Sequence, residues 1–334
     1  MQRIPFAEIQ ATLAGVLLKL GFSSARAQHC AQLFTQTTCD GVYSHGVARF
    51  PRFVAMIHNG NVHVETEPTL VTRFGAVERW NGNRGPGNLN AWASMDRAIA
   101  LAREHGIGFV ALADTNHWMR GGTYGWQAAD AGMIGICWTN TLPNVPAWGG
   151  VEPCLGNNPL VIAVPRAAGH VVLDMAMSQF SYGALESYSR RGQMLPVDGG
   201  FNAAGDLTRD PAAILASNRA LPIGYWKGSG LSTVLDMIAA MTSLGIATHQ
   251  LGSDPLQEAG TSQVFFAIHP ASLGPADQSA RIVDEIVASL HRSPAAQPDA
   301  PIRYPGERTL QIRAENLVLG IPVDPDLWQQ ILAL

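Results

Sequence analysis

The run Gly106-Ile107-Gly108-Phe109-Val110-Ala111 has the loose G-x-G-x-x-A spacing of a dinucleotide fingerprint, but it lies inside an apolar, strand-like run. A Rossmann domain needs those glycines in the turn between a strand and a helix, where the backbone approaches a pyrophosphate. A second candidate, Gly85-Pro86-Gly87-Asn88-Leu89-Asn90, precedes a helix but ends in Asn where the fingerprint has Gly or Ala. The spacing therefore argues against a Rossmann fold.

Working outward, Leu89 to Glu104 reads as a helix closed by His105-Gly106. Short apolar runs at Ile107–Ala113, Ile134–Trp138, Leu160–Val164, Val171–Met175 and Val264–Ile268 read as strands. Between and after them, Tyr182–Arg191, Leu231–Leu244 and Ala280–Leu290 read as helices. At the N-terminus Pro5 suits a first helical position, and Ile9, Leu13, Val16, Leu17 and Leu20 form an apolar stripe ended by Gly21. A second helix runs from Ser24 to about Thr37. A third is expected from Ser44 to Asn59, with a kink or late start at Pro51. The tail, Glu307–Leu317 and Pro325–Leu334, is helical again, after a Pro-rich linker at 293–301. Helices at both ends and strands in the middle predict termini that pack together around a central sheet domain. No internal repeat is visible.

The chain has 334 residues, room for two domains or three interleaved ones. Hydrophobic content of 47% with charged content of 14% excludes a disordered chain. A net charge of -4 without a basic run argues against nucleic acid as partner. Cys30, Cys39, Cys137 and Cys154 have no zinc-type spacing, so no metal site is expected, and reduced thiols in a cytoplasmic protein are. No signal peptide and no membrane-length apolar stretch is apparent. The low charged fraction suggests surface covered in an oligomer.

Three segments carry candidate chemistry. Ser44-His45-Gly46-Val47-Ala48-Arg49 places an imidazole and a guanidinium four residues apart, on one face if a helix begins at Ser44, with Arg52 three residues on. A 2-oxo acid needs that pair, a proton donor for its carbonyl and a planar fork for its carboxylate. The alternative is a helix start with solvated arginines and a surface His. Asn116-His117-Trp118-Met119-Arg120-Gly121-Gly122 follows a strand, where chemistry often sits, though a structural loop His is equally compatible. Trp226-Lys227-Gly228-Ser229-Gly230 precedes an apolar helix and could cradle a phosphate, or be an ordinary Gly-rich helix entry. Asp198-Gly199-Gly200 reads better as a turn than as a functional carboxylate. Asp236, Met237 and Met241 read as packing.

The combination is more specific than its parts. Tyr43-Ser-His-Gly-Val47 with Arg49, Asn116-His117, Gly156-Asn-Asn-Pro-Leu160, Leu173-Asp-Met-Ala-Met-Ser178, Pro196-Val-Asp-Gly-Gly200 and Lys227-Gly-Ser-Gly230 follow one another in a fixed order. In this the chain resembles, over nearly its whole length, the malate/L-lactate dehydrogenase family that lacks a Rossmann fold. Gly41-Val-Tyr-Ser-His-Gly46, Asn116-His-Trp-Met-Arg-Gly-Gly122, Tyr124-Gly-Trp-Gln-Ala-Ala129, Gly135-Ile-Cys-Trp-Thr-Asn140 and Gly224-Tyr-Trp-Lys-Gly-Ser-Gly230 resemble the branch that reduces a 2,3-dioxo sugar acid.

The resemblance implies an α/β (α+β) fold. A mostly antiparallel central sheet for the cofactor would span residues 76–292, and a helical domain would form from 1–75 plus 293–334. It implies a homodimer. It implies an NADH-dependent reductase of a 2-oxo or 2,3-dioxo acid, with NADPH left open beside NADH. His45 would donate the proton, with Ser44, Arg49 and His117 as its catalytic company. Arg49, Arg120 and Trp118 would bind substrate. The cofactor would lie on Val172, Leu173, Asp174, Met175, Ala176, Met177, Ser178, Trp226, Lys227, Gly306, Glu307 and Arg308. Malate, L-lactate, ureidoglycolate or a cyclic imino acid are the alternative substrates within the family, and a non-catalytic small-molecule binding protein is the alternative outside it. Three departures from the family's pattern stand out: Asn157 replaces a Thr, Met177 stands where many relatives have Thr, and Pro305-Gly306-Glu307 is one residue shorter than Pro-Gly-x-Glu.

Overall fold

The structure, a computed structural model, describes residues 1–296 and 301–334. Its centre is a seven-stranded sheet in the order Thr69–Phe74, Val77–Asn81, Ile107–Asn116, Ala259–Ile268, Ile134–Thr139, Leu160–Val164, Val171–Met175. Every neighbouring pair is antiparallel except Val77–Asn81 with Ile107–Asn116. This mostly antiparallel sheet is the architecture that the family resemblance implied, and it is not the Rossmann domain that the misplaced glycines argued against.

Alternation along the strands gives the sheet two buried faces. Val110, Leu112 and Phe265 point to one face, where helices Gly87–His105 and Gly122–Asp130 cover them through Met95, Leu101 and Tyr124. Val264 and Trp138 point to the other, against Leu235 and Ala239 of helix Trp226–Ser243. A separate core joins the two ends of the chain. Ile9, Leu13, Leu17, Phe34, Phe50 and Phe53 pack with Ile321, Trp328 and Ile331, and Gln2–Ile4 pairs with Ile321–Val323. Each large side chain so buried contributes about 1.5–3 kcal/mol, which fastens the C-terminal segment onto the N-terminal helices.

The expected strands at 107–113 and 264–268 extend to Ile107–Asn116 and Ala259–Ile268, because polar Thr115, Asn116 and Thr261 find partners inside. Strands Thr69–Phe74 and Val77–Asn81 went unread, since their polar and charged residues show no apolar run. The continuous helix expected from Ser44 to Asn59 does not form. Single turns at Tyr43–His45 and Val47–Arg49 precede helix Phe50–His58, which starts late with Pro51 in its first turn. Gly46 breaks the path between the turns. A Cβ there would stand 2.0 Å from Thr38 Oγ1, the atom that accepts the Val47 N–H. Residues 297–300 of the expected linker lie outside the described residues.

Candidate active site

His45 and His117 face each other with ring centroids 5.9 Å apart and planes 21° from parallel. They reach this position from different elements: His45 from the turn that Gly46 bends against helix Ser24–Cys39, His117 from the residue after strand Ile107–Asn116. Ser44 Oγ lies 2.8 Å from His45 Nδ1. A hydroxyl can donate to a neutral imidazole or accept from an imidazolium, so it orients the ring in both states. The Met119 N–H donates to His117 Nδ1 at 3.0 Å, which leaves the His117 proton on Nε2. Met119 makes this bond at φ +66, a left-handed conformation uncommon outside Gly, Asn and Asp.

Burial, with Arg49 beside it, pushes the His45 imidazole down to about 4, against the opposing pull of Asp174; Arg120 lowers it further. His117 is also pushed well below its ordinary value, by burial first and then by Arg49, His45 and Arg52. Both rings are therefore neutral near pH 7 with nothing bound. To carry a proton near neutral pH, His45 needs that shift offset, and an anion at Arg49 would do so.

Arg49 Nη2 lies 3.4 Å from Glu258 Oε2, and its side chain remains 20% exposed, so it has capacity for a carboxylate. The continuous helical face expected to align it with His45 is absent; the two turns bring it near by another path. Arg120 is placed otherwise than the sequence suggested. Its side chain is 4% exposed, and Nη1 is bonded to Asp40, which also takes Arg313 Nε at 2.7 Å and Nη2 at 2.9 Å. Arg120 Nε has no hydrogen-bond partner among the described residues, and Asp174 Oδ2 stands 3.7 Å away. Trp118 does not line a substrate pocket. It is 1% exposed, packed on Tyr124 and Phe265 in the sheet core, because the loop turns its ring inward.

The segments expected to hold cofactor are brought together on the edge strand Val171–Met175. At one end the Val172 N–H donates to Pro305 O at 2.8 Å, seating Gly306, Glu307 and Arg308 beside the strand. At the other, the Ile223 N–H donates to Met177 O at 2.8 Å and Ser178 pairs with Pro222, four residues before Trp226. Asp174, between them, accepts the Gly122 N–H at 2.9 Å. Asn157, in place of the family's Thr, accepts the Ser178 N–H on Oδ1 at 3.0 Å and the Met177 N–H on its backbone oxygen at 2.9 Å.

The reading of residues 226–230 as a loop cradle is corrected. Helix Trp226–Ser243 already includes them. Gly228 is there because a Cβ would stand 2.3 Å from Ile223 O, and Ser229 Oγ accepts the Trp148 N–H. Trp226, 65% exposed, and Lys227 remain on the surface. The Glu307 carboxylate is engaged by the Tyr304 N–H and by His291 Nε2, each at 3.1 Å. Sequence reasoning missed Glu258 and Asp40, which order the arginines. Nothing local marks either one: Asp40 closes a helix, and Glu258 stands alone before a distant strand.

Two facing imidazoles beside a half-open guanidinium, next to a mostly antiparallel sheet, have the make-up of an oxidoreductase of the non-Rossmann kind. The chain belongs to the malate/L-lactate dehydrogenase family, whose model matches residues 4–332. It is 47% identical to 2,3-diketo-L-gulonate reductase of Escherichia coli strain K12 over 335 residues, 99% of this chain and 100% of that protein. Its structure is similar to sulfolactate dehydrogenase of Methanocaldococcus jannaschii, with a TM-score of 0.92, 28% identity and 99% and 95% of the two chains covered. It is also similar to malate dehydrogenase of Entamoeba histolytica, with a TM-score of 0.93, 23% identity and 99% and 96% covered; that likeness speaks to the fold alone.

The protein is an oxidoreductase, and its family uses a nicotinamide cofactor. A cavity of about 710 Å³ runs from Tyr43 past Tyr188 and Arg191 to Arg308 and Thr309; of the residues expected to hold cofactor Arg308 lines it, whereas Val172–Ser178, Trp226 and Lys227 lie outside its lining. That volume lies within the about 300–1,000 Å³ common for ligand clefts.

Proposed function

We propose that the chain is an NADH-dependent reductase that takes 2,3-diketo-L-gulonate to 3-dehydro-L-gulonate, with His45 as proton donor. The observation that carries this reading is the parallel His45–His117 pair beside Arg49. The substrate is that in the name of the 47% identical relative. A nicotinamide held along Val172, Leu173, Asp174, Met175, Ala176, Met177 and Ser178 supplies the hydride, with Gly306, Glu307 and Arg308 at one end and Trp226 and Lys227 at the other.

The residues do the rest. Arg49 takes the substrate carboxylate and fixes its orientation. That anion offsets the nearest charge opposing a proton on His45, so the imidazolium forms with substrate in place. Ser44 holds the ring through the change. His45 then gives its proton to the alkoxide, a role worth about 10²–10⁴-fold in rate. His117, its proton on Nε2, offers a fixed neutral donor to the second oxo group. Arg120 acts on the site as a buried charge paired to Asp40 and leaves the grip on the carboxylate to Arg49.

The wider reading follows the same support. The helical unit is residues 1–75 with 293–334, and the sheet unit is 76–292, with strand Thr69–Phe74 crossing over to join the sheet. Two copies pair through the exposed stripe Val234, Met237, Met241 and Leu244, an apolar face of helix Trp226–Ser243 and its end. The enzyme is cytoplasmic. Its described cysteines are all free, and no described helix is long and apolar enough to cross a membrane.

An absorbance assay of NADH and NADPH oxidation against a panel of 2-oxo and 2,3-dioxo acids tests the proposal. Fastest turnover is expected with NADH and the 2,3-dioxo sugar acid. Faster turnover with oxaloacetate or pyruvate contradicts the substrate, and preference for NADPH contradicts the cofactor.

A further inference from the structure

Glu258 is a carboxylate with no part in the chemistry above, yet it sits against the substrate arginine. Its side chain is 5% exposed, and one oxygen, Oε2, faces both Arg49 Nη2 at 3.4 Å and Arg52 Nη2 at 3.3 Å. The position is built. Asp254 caps the turn Pro255–Gln257 through the Leu256 N–H at 2.8 Å, and Asn61 Nδ2 holds the Leu256 carbonyl at 2.8 Å. Arg52 Nε donates to Pro255 O at 3.1 Å, so the second guanidinium is tied to the same turn. Glu258 follows it directly and leads into strand Ala259–Ile268.

The charges around the imidazole pair then fall into two groups. On one side Arg120 and Arg313 face Asp40 and Asp174, and their charges balance. On the other, Arg49 and Arg52 share a single buried carboxylate. Glu186 also acts on Arg49 and Asp254 on Arg52, both from exposed positions where water screens them. Both imidazoles are neutral in the empty site.

We propose that Glu258 leaves the pocket one uncompensated positive charge and thereby selects a 2-oxo acid with a single carboxylate over a dicarboxylate. A second substrate carboxylate would have to displace Glu258 from its arginines, remain buried and unpaired, or hold a proton on His45 against the burial that disfavours it, and each costs affinity. Glu258 acts through Arg49 and Arg52, so it is a specificity-setting residue that need not touch substrate. The inference rests on the reading of this pocket as a 2-oxo acid site.

Oxamate and oxalate are planar two-carbon anions of similar size that differ by one charge. Calorimetric titration of each into the full chain at saturating NADH tests the proposal. The native protein is expected to bind oxamate at least about tenfold more tightly than oxalate, a modest figure for one charge at this range. Glu258→Gln is expected to move that ratio at least about tenfold toward oxalate, whereas a merely structural role would lower the melting temperature and leave the ratio alone. Equal binding by the native protein, or an unmoved ratio in a folded Glu258→Gln, overturns the charge account and leaves the reductase reading standing. If Glu258→Gln does not fold, the native ratio alone decides. Binding of neither anion overturns the 2-oxo acid reading itself, and this inference with it.

Discussion

Two guanidiniums bear on His45, and the protein treats them differently. Arg49 keeps 20% of its side chain in contact with solvent and shares Glu258 with Arg52 at 3.3–3.4 Å, distances at the loose end of ion pairing. Arg120 is 4% exposed and bonded to Asp40, which Arg313 grips with two further bonds while stacking over Trp126 at 4.6 Å. Asp40 ends helix Ser24–Cys39, Arg120 sits on the loop after the third strand of the sheet, and Arg313 lies on helix Glu307–Leu319. The buried cluster thus fastens three parts of the chain at one point, and the half-open one leaves a donor for a ligand. The same residue type supplies architecture in one place and recognition in the other, and burial makes the difference.

The comparison is easiest to break at Asp40. Asp40→Ala strands Arg120 and Arg313 without their carboxylate, and it should cost about 3–5 kcal/mol of stability in a denaturant titration. A loss no larger than that of a surface substitution would mean the cluster is not structural. His45→Asn should cut hydride transfer in stopped flow by at least about 10²-fold while NADH affinity stays near that of the native protein. Lys227→Ala should weaken NADH binding by about 1.5–3 kcal/mol in calorimetry if the exposed amine meets a phosphate. An unchanged affinity returns Lys227 to plain helix surface.

A further effect is on acid stability. The folded pKa of His45, about 4, lies below its ordinary 6.5, so the unfolded chain binds more protons between those values. Stability from this group is complete above pH 6.5 and declines as pH falls toward 4. His45→Asn should therefore show a flatter melting-temperature profile over that window, with His117 still contributing slope.

Much of this was legible in the sequence because local patterns carry it. The misplaced glycines at 106–108 argue against a Rossmann domain, the family resemblance implies the antiparallel sheet, and strands Leu160–Val164 and Val171–Met175 fall where their apolar runs do. His45 and His117 were marked by neighbouring residues. What stayed hidden depends on partners far away in the chain. Nothing local says that Arg120 meets Asp40, 80 positions back, or that Arg49 meets Glu258, 209 positions on. Nothing local says which way the 117–121 loop turns, so Trp118 read as a pocket residue while its ring belongs to the core. Gly228 matched a phosphate-loop pattern, yet its smallness serves the close approach of Ile223.

Arg49→Met and Arg120→Met, compared side by side for steady-state reduction of a 2-oxo acid and for thermal melting, test the division of labour most directly. Arg49→Met should lose at least about 30-fold in kcat/KM, the about 2 kcal/mol lower end for removing one partner of a charge pair. Its melting temperature should stay near native, since Arg52 still holds Glu258. Arg120→Met should melt earlier and keep its KM. A raised KM in Arg120→Met at an unchanged melting temperature, with Arg49→Met still active, would contradict the account.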